Sequence, residues 1–145
     1  MVTLAQPLPE YEILLSIPGR AETTATNIIG ELGDIRRFHS ANQINAFIDI
    51  DLRRYESGEF LAKEHITKRG NPYARKILFK CIHNIASPSH TNPCHIADFY
   101  EKRKRQSQVT STKPHTIASI HRLIRTMYCL ITHNKLYDYT STQNR

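Results

Sequence analysis

From Pro114 to Thr132 this chain places Ile117, Ile120, Leu123, Ile124, Met127, Tyr128 and Ile131 at the three-and-four spacing of an α-helix. A stripe that wide holds a helix in water only when other elements cover it, so the rest of the chain must supply the cover. Its periodicity is also helical. A short helix is expected from Glu10 to Ser16, carrying Tyr11, Ile13, Leu14 and Leu15, and stopped by Ile17-Pro18-Gly19. A second runs from about Ala21 to Leu32, with Ala25, Ile28, Ile29 and Leu32 in phase and Gly33 closing it. Ser40 reads as the N-cap of a short helix that sets Ile44, Phe47 and Ile48 on one side. Between Asp49 and Asn71 the periodicity is lost. Asn71 then suits an N-cap and Pro72 a first helical residue, and the helix they open buries Ile77, Leu78, Cys81, Ile82 and Ile85 before Ser87-Pro88-Ser89 breaks it. Pro93 is expected to begin a further helix, Gln106 to Thr112 to form a loop, and Asn134 to Arg145 to fray. No internal repeat and no strong strand signal is present. The expected fold is all-α, with five to six helices, an opening helix-hairpin-helix-like pair and a long polar loop before the fourth helix. Residues 1–9 are expected as an extension, 10–133 as one domain and 134–145 as a polar tail.

Composition narrows the function. The 145 residues allow one domain with a modest core. No apolar run approaches the roughly 18 residues that span a bilayer. Met1-Val2-Thr3-Leu4-Ala5 lacks the basic start and long apolar stretch of a signal peptide, so a cytoplasmic location without membrane attachment is expected. Three cysteines argue against a disulfide framework. Lys and Arg number 20 against 13 Asp and Glu, a net charge of +7. Such an excess on a small domain favours a polyanionic partner through counterion release, without separating DNA from RNA or from an anionic membrane surface; the alternative is basic solubility without function.

Several local patterns bear on that partner. Leu14-Leu15-Ser16-Ile17-Pro18-Gly19 before a helix resembles a helix-hairpin-helix, in which a glycine turn offers backbone N–H groups to a phosphate. The usual second glycine is absent, because Arg20-Ala21 follows Gly19, so Gly19 and Arg20 are the contacts to expect there; the alternative is an ordinary helical corner. Lys102-Arg103-Lys104-Arg105 is the densest charge run. It reads either as a solvated helix end with cations at the negative pole, or as a grip on a phosphate backbone with Tyr100 stacking on a base and Arg122 and Arg125 extending the patch. Cys81, His83, His90, Cys94 and His95 hint at zinc, but the spacing fits poorly and Cys81 falls on an apolar stripe. His115 and His121 read as core or surface residues.

The most informative stretch is Tyr55-Glu56-Ser57-Gly58 followed by Thr67-Lys68-Arg69-Gly70-Asn71-Pro72, a polar loop presenting a serine on a basic chain. By itself Ser57 is a turn residue. In context the pattern is similar to the C-terminal domain of the insertion-sequence 110/116/902 transposases. The resemblance starts with Ile17-Pro18-Gly19 and Glu31-Leu32-Gly33-Asp34-Ile35-Arg36-Arg37-Phe38, continues through the loop to Arg75 and Leu78, and takes in Phe99-Tyr100-Glu101, Lys113-Pro114-His115, Arg122-Leu123 and Tyr128. It spans about Ile13 to Leu130. Where the family reads Gly-Leu-(Asp)-Pro before the tyrosine, this chain has Asp49-Ile50-Asp51-Leu52.

The resemblance implies that Ser57 is the nucleophile of DNA strand cleavage and rejoining. Lys68, Arg69 and Arg75 are then the expected phosphate contacts, with Gly19, Arg20, Lys102, Arg103, Lys104, Arg105 and Arg122 as further nucleic-acid contacts. It further implies DNA and a guide RNA as partners and a homo-oligomer in which the serine works across subunits. The divalent metal, Mg, is implied to sit in an N-terminal RuvC-like domain, with no cofactor bound by this chain alone. Asp49, Asp51, Glu56, Glu59 and Glu64 show no metal-ligand spacing. On this reading the chain is expected to be a fragment of a bacterial mobile-element recombinase, or a decayed gene product, starting just before the C-terminal domain. The alternatives are a non-catalytic nucleic-acid-binding helical module and a helical adaptor for proteins.

Overall fold

The computed structural model describes residues 4, 7–19, 22–48, 72–87, 93–107 and 111–139. Among these residues the chain is all-helical and no strand occurs. The elements are α1 (Pro9–Ser16), α2 (Glu22–Leu32), a 3-10 turn (Ile35–Arg37), α3 (Ala41–Phe47), α4 (Pro72–Ala86), α5 (His95–Gln106) and α6 (Lys113–Thr132).

The apolar stripe of the last helix is the centre of the molecule. Helix α6 packs against α1, the 3-10 turn, α3, α4 and α5, while α2 lies across α1 and α4. Every residue from His115 to Ile120 is buried, and Leu123, Ile124, Met127 and Ile131 continue the core. The first half of α6 is therefore covered all round, beyond what one stripe requires. Its buried hydroxyls bond within the helix: Ser119 Oγ donates to the His115 carbonyl at 2.8 Å and Thr116 Oγ1 to that of Thr112 at 3.1 Å. Leu14, Ile17, Ile28, Leu32, Leu78, Ile82 and Ile85 complete the core from α1, α2 and α4.

Local capping explains several helix ends. Ser40 Oγ accepts from the Gln43 N–H at 3.3 Å and opens α3 as its sequence position suggests. Gly33 lies at φ +67° past α2, and its N–H bonds the Ile29 carbonyl at 2.9 Å. Arg37 also caps α2, with Nη2 3.0 Å from the Leu32 carbonyl oxygen, while its guanidinium lies 4.3 Å from the Phe38 ring centroid. Arg36 pairs with buried Glu10, whose hydrogen bond raises the Arg36 pKa from its ordinary value. Tyr128 Oη donates to the Phe38 carbonyl at 2.9 Å, tying the 3-10 turn to α6.

Two expectations shift. Helix α5 starts at His95 rather than Pro93, because Cys94 takes the extended N-cap conformation (φ −146°, ψ 128°), and it runs on to Gln106. The segment after Thr132 does not fray at once. Asn134 adopts φ +53°, with its N–H on the Ile131 carbonyl (3.3 Å) and the Lys135 N–H on that of Leu130 (2.9 Å), the Schellman pattern. That turn sends the chain back, so that the Tyr137 N–H reaches Ser16 Oγ at 2.9 Å. The expected N-cap Asn71 lies outside the described residues.

The turn after α1 needs its glycine twice over. Gly19 sits at φ +82°, and a Cβ there would lie 2.9 Å from Ile85 Cα, inside the backbone of α4. At Gly33 a Cβ would meet nothing nearer than Arg37 Nε at 3.8 Å. Gly19→Ala is therefore expected to lower the unfolding free energy by roughly 2–4 kcal/mol, combining left-handed strain with overpacking. Gly33→Ala should cost only about 1–2 kcal/mol. Urea titration of both variants checks this, and equal losses would contradict the close approach to α4.

Candidate nucleic-acid interface

The residues expected to contact nucleic acid fall into separate places. Gly19 is half-buried against Ile85, in a turn tied to α4. Arg20, Ser57, Lys68 and Arg69 lie outside the described residues, as do Asp49, Asp51, Glu56, Glu59 and Glu64. Arg75 is 7% exposed, and its Nη1 donates to the Ile48 carbonyl at 3.1 Å. Arg75 stands in the first turn of α4, and Ile48 caps the end of α3, so this bond joins the two flanks of the segment that carries Ser57. A direct contact from Arg75 to a phosphate would have to come from a side chain that is almost fully buried. Arg36 and Arg37 are engaged in the ion pair and cap described above.

Helix α5 divides the basic run between two surfaces. Lys102 and Arg105 share a shallow concavity with Asp98, Glu101 and Gln106, where both signs of charge meet. Arg103 turns instead toward α6. Its guanidinium carbon lies 6.0 Å from the Phe99 ring centroid, and that of Arg122, from α6, lies 4.0 Å from the same ring. His115 completes this seam. Burial lowers its pKa below the ordinary 6.5, and the positive charges of Arg103 and Lys104 lower it further. Tyr100, expected as a stacking platform, is 7% exposed and belongs to the core.

The seam is held from the other end of α5 by a network that sequence reasoning missed. The Tyr137 ring stacks on His95 with centroids 5.6 Å apart. The His95 backbone N–H donates to Tyr137 Oη at 2.9 Å, and His95 Nδ1 lies 2.7 Å from the same oxygen. His95 Nε2 lies 3.2 Å from Thr126 Oγ1, which donates to the Arg122 carbonyl at 2.8 Å. A neutral ring protonated on Nε2 satisfies every member: Nε2–H donates to Thr126, and Nδ1 accepts from Tyr137. Burial lowers the His95 pKa, Arg122 lowers it further and Asp98 opposes the change. Burial likewise raises the pKa of the Tyr137 phenol, keeping it protonated. Tyr139 Oη adds a bond to Asp98 Oδ2 at 2.7 Å. Two tyrosines in a mostly polar tail, just after an asparagine that can adopt the left-handed turn, were the available signal.

Among the described residues, no three His, Cys, Asp or Glu side chains lie together as a metal would need. No helix there is long and apolar enough to cross a membrane.

The family model described as "Transposase IS116/IS110/IS902 family" matches residues 11–101. The transposase for insertion sequence element IS1111A of Coxiella burnetii (strain RSA 493 / Nine Mile phase I) is 40% identical over 63 residues. That match covers 43% of this chain but only 17% of the relative's length. No solved structure matches.

The lowered His95 pKa sets a pH dependence. Between the folded pKa and the unfolded value near 6.5, the unfolded chain binds more protons, so stability is full above about pH 6.5 and declines as pH falls through it. His115 acts with the same sign. Unfolding free energies measured at pH 7.5 and 5.5 should therefore fall on acidification, and the fall should be smaller in His95→Gln. An unchanged slope in the variant would contradict a neutral His95. Tyr137→Phe should cost about 1–2 kcal/mol at pH 7.5, by stranding groups that Tyr137 Oη now serves.

Proposed function

This chain belongs to the IS116/IS110/IS902 family of transposases, and on that premise we propose that it supplies the catalytic serine of DNA transposition. The observation carrying this reading is that the family match, over residues 11–101, encloses Ser57-Gly58 and Lys68-Arg69-Gly70-Asn71-Pro72 in one stretch.

In the proposed reaction Ser57 Oγ attacks a DNA phosphorus, forming a phosphoserine ester as the bond to one deoxyribose oxygen breaks. The serine proton passes through a base to that leaving oxygen, which becomes a hydroxyl. A hydroxyl from a second strand then attacks the phosphoserine, and the proton it loses restores Ser57. The ester conserves the energy of the original phosphodiester, so rejoining needs no nucleotide cofactor. A serine hydroxyl is a weak nucleophile until a base or an oriented charge activates it. Lys68 and Arg69 are suited to hold the scissile phosphate and offset its developing charge. Arg75 acts at one remove, through its bond to Ile48, by keeping the ends of the serine segment together.

The family implies a divalent metal, Mg, and the described residues of this chain hold no donor set that fits it. No step here is routed through it; its place is assigned to another part of the transposase. DNA is the proposed substrate, a structured guide RNA the proposed selector of sites, and a homo-oligomer the proposed assembly. The net charge of +7 supports a polyanionic partner.

Recombination of donor and target DNA by a transposase carrying this chain tests the reading. Ser57→Ala should abolish strand joining, a loss of at least about 10³-fold, the scale seen when a nucleophile is removed. DNA binding should change by less than about threefold, since a neutral surface side chain adds little to phosphate affinity. Joining that persists in Ser57→Ala would remove the nucleophile and leave a nucleic-acid-binding module.

A further inference from the structure

Arg122 stands out among the cations of this chain. It is half-buried, its Nε is shielded from solvent without a hydrogen-bond partner, and among the described residues no carboxylate pairs with it. A guanidinium in that state is normally matched by an acid. Here its neighbour is Arg125, and burial together with that like charge lowers its pKa. What holds Arg122 in place is the face of Phe99, 4.0 Å away, and Arg103 approaches the same ring from α5. The main chain is fixed as well, because the Arg122 carbonyl accepts from Thr126, which is bonded to His95. The side chain is thus pre-positioned and partly desolvated, and its positive charge is unanswered among the described residues.

We propose that Arg122, mounted on Phe99 and flanked by Arg103, is a clamp for a phosphodiester of the nucleic-acid backbone. This rests on the reading of the chain as a nucleic-acid-binding transposase domain, and adds to the contact expected at Arg122 the way it is held and a positioning residue, Phe99. A guanidinium fork matches two phosphate oxygens, and fixing it in advance reduces the entropy lost on binding. Because Tyr100 is buried, α5 offers no base-stacking platform from that position, so the contact reads backbone and not sequence. The phosphodiester belongs to DNA or to RNA, and the two share the chemistry that Arg122 recognises.

The test measures binding of the chain to a duplex DNA and to an RNA hairpin across a salt series. Phe99→Leu leaves the charge untouched. If bulk charge alone matters, it binds like wild type; if the clamp exists, affinity falls roughly three- to tenfold, the range of a partly desolvated cation–π contact. Arg122→Lys keeps the charge but loses the fork, and should fall by a similar factor. Arg122→Gln should also lower the salt slope by about 1. Lys135→Gln, beyond the far end of α6, gives the cost of one charge elsewhere. Thermal melting checks folding, and should Phe99→Leu melt early, the Arg122→Lys comparison decides alone. Weakening on DNA, RNA or both supports the clamp and identifies its source. Phe99→Leu and Arg122→Lys variants that bind both as wild type does overturn it, whereas a wild-type chain that binds neither overturns the underlying functional reading.

Discussion

One helix whose first half is buried all round organises this domain. Ten residues of α6 are withdrawn from water, and a fully buried Leu or Ile contributes about 1.5–3 kcal/mol. Helices α1, α3, α4 and α5 and the 3-10 turn each pack on α6, and so take their positions from it. This has a consequence for surface chemistry. Arg122 lies on the same helix as Ile120, Leu123 and Ile124, so the core that fixes α6 also fixes the guanidinium against Phe99.

The residues that flank the serine segment, Ile48 and Arg75, are held by different means. They meet where Arg75 Nη1 bonds the Ile48 carbonyl, and Arg75 is carried by α4. The opposite end of α4 is pinned by Gly19, whose backbone approaches Ile85 so closely that a methyl group would collide. A turn that resembles a phosphate-binding hairpin thus has a demonstrable packing task. Gly19 meets two steric demands at once, and the charge beside it, Arg20, is left to the functional reading. Lys102 and Arg105 share their surface with Asp98 and Glu101, which weakens the basic run as a single patch and places more weight on the α5–α6 seam.

Much of this was legible in the sequence because it rests on local rules. Helical spacing located α6, Ser40 located the start of α3, Pro72 that of α4, and Gly33 the end of α2. The all-α fold follows from those signals, and the part of the family resemblance that runs from Ile17-Pro18-Gly19 to Phe99-Tyr100-Glu101 lies within the family match, whereas its motifs from Lys113 to Tyr128 lie beyond it. What was not legible depends on contacts between distant residues. Tyr137 meets His95 across 42 positions, and no periodicity announces it. Phe99 looks like an ordinary apolar residue until α6 brings Arg122 over its face. Arg75 was read as a phosphate contact from the family resemblance and Tyr100 as a stacking platform from its aromaticity beside a charge run, whereas the burial of both appears only on folding.

The serine chemistry is tested most directly by finding the covalent bond. Recombination with donor and target DNA is quenched in denaturant, the DNA digested to its last nucleotides, and the protein mapped by mass spectrometry. The account predicts a nucleotide or phosphate on Ser57, within the tryptic peptide of residues 55–63. The same modification on Tyr55, or cleaved DNA with no protein attached at any stage, would contradict it.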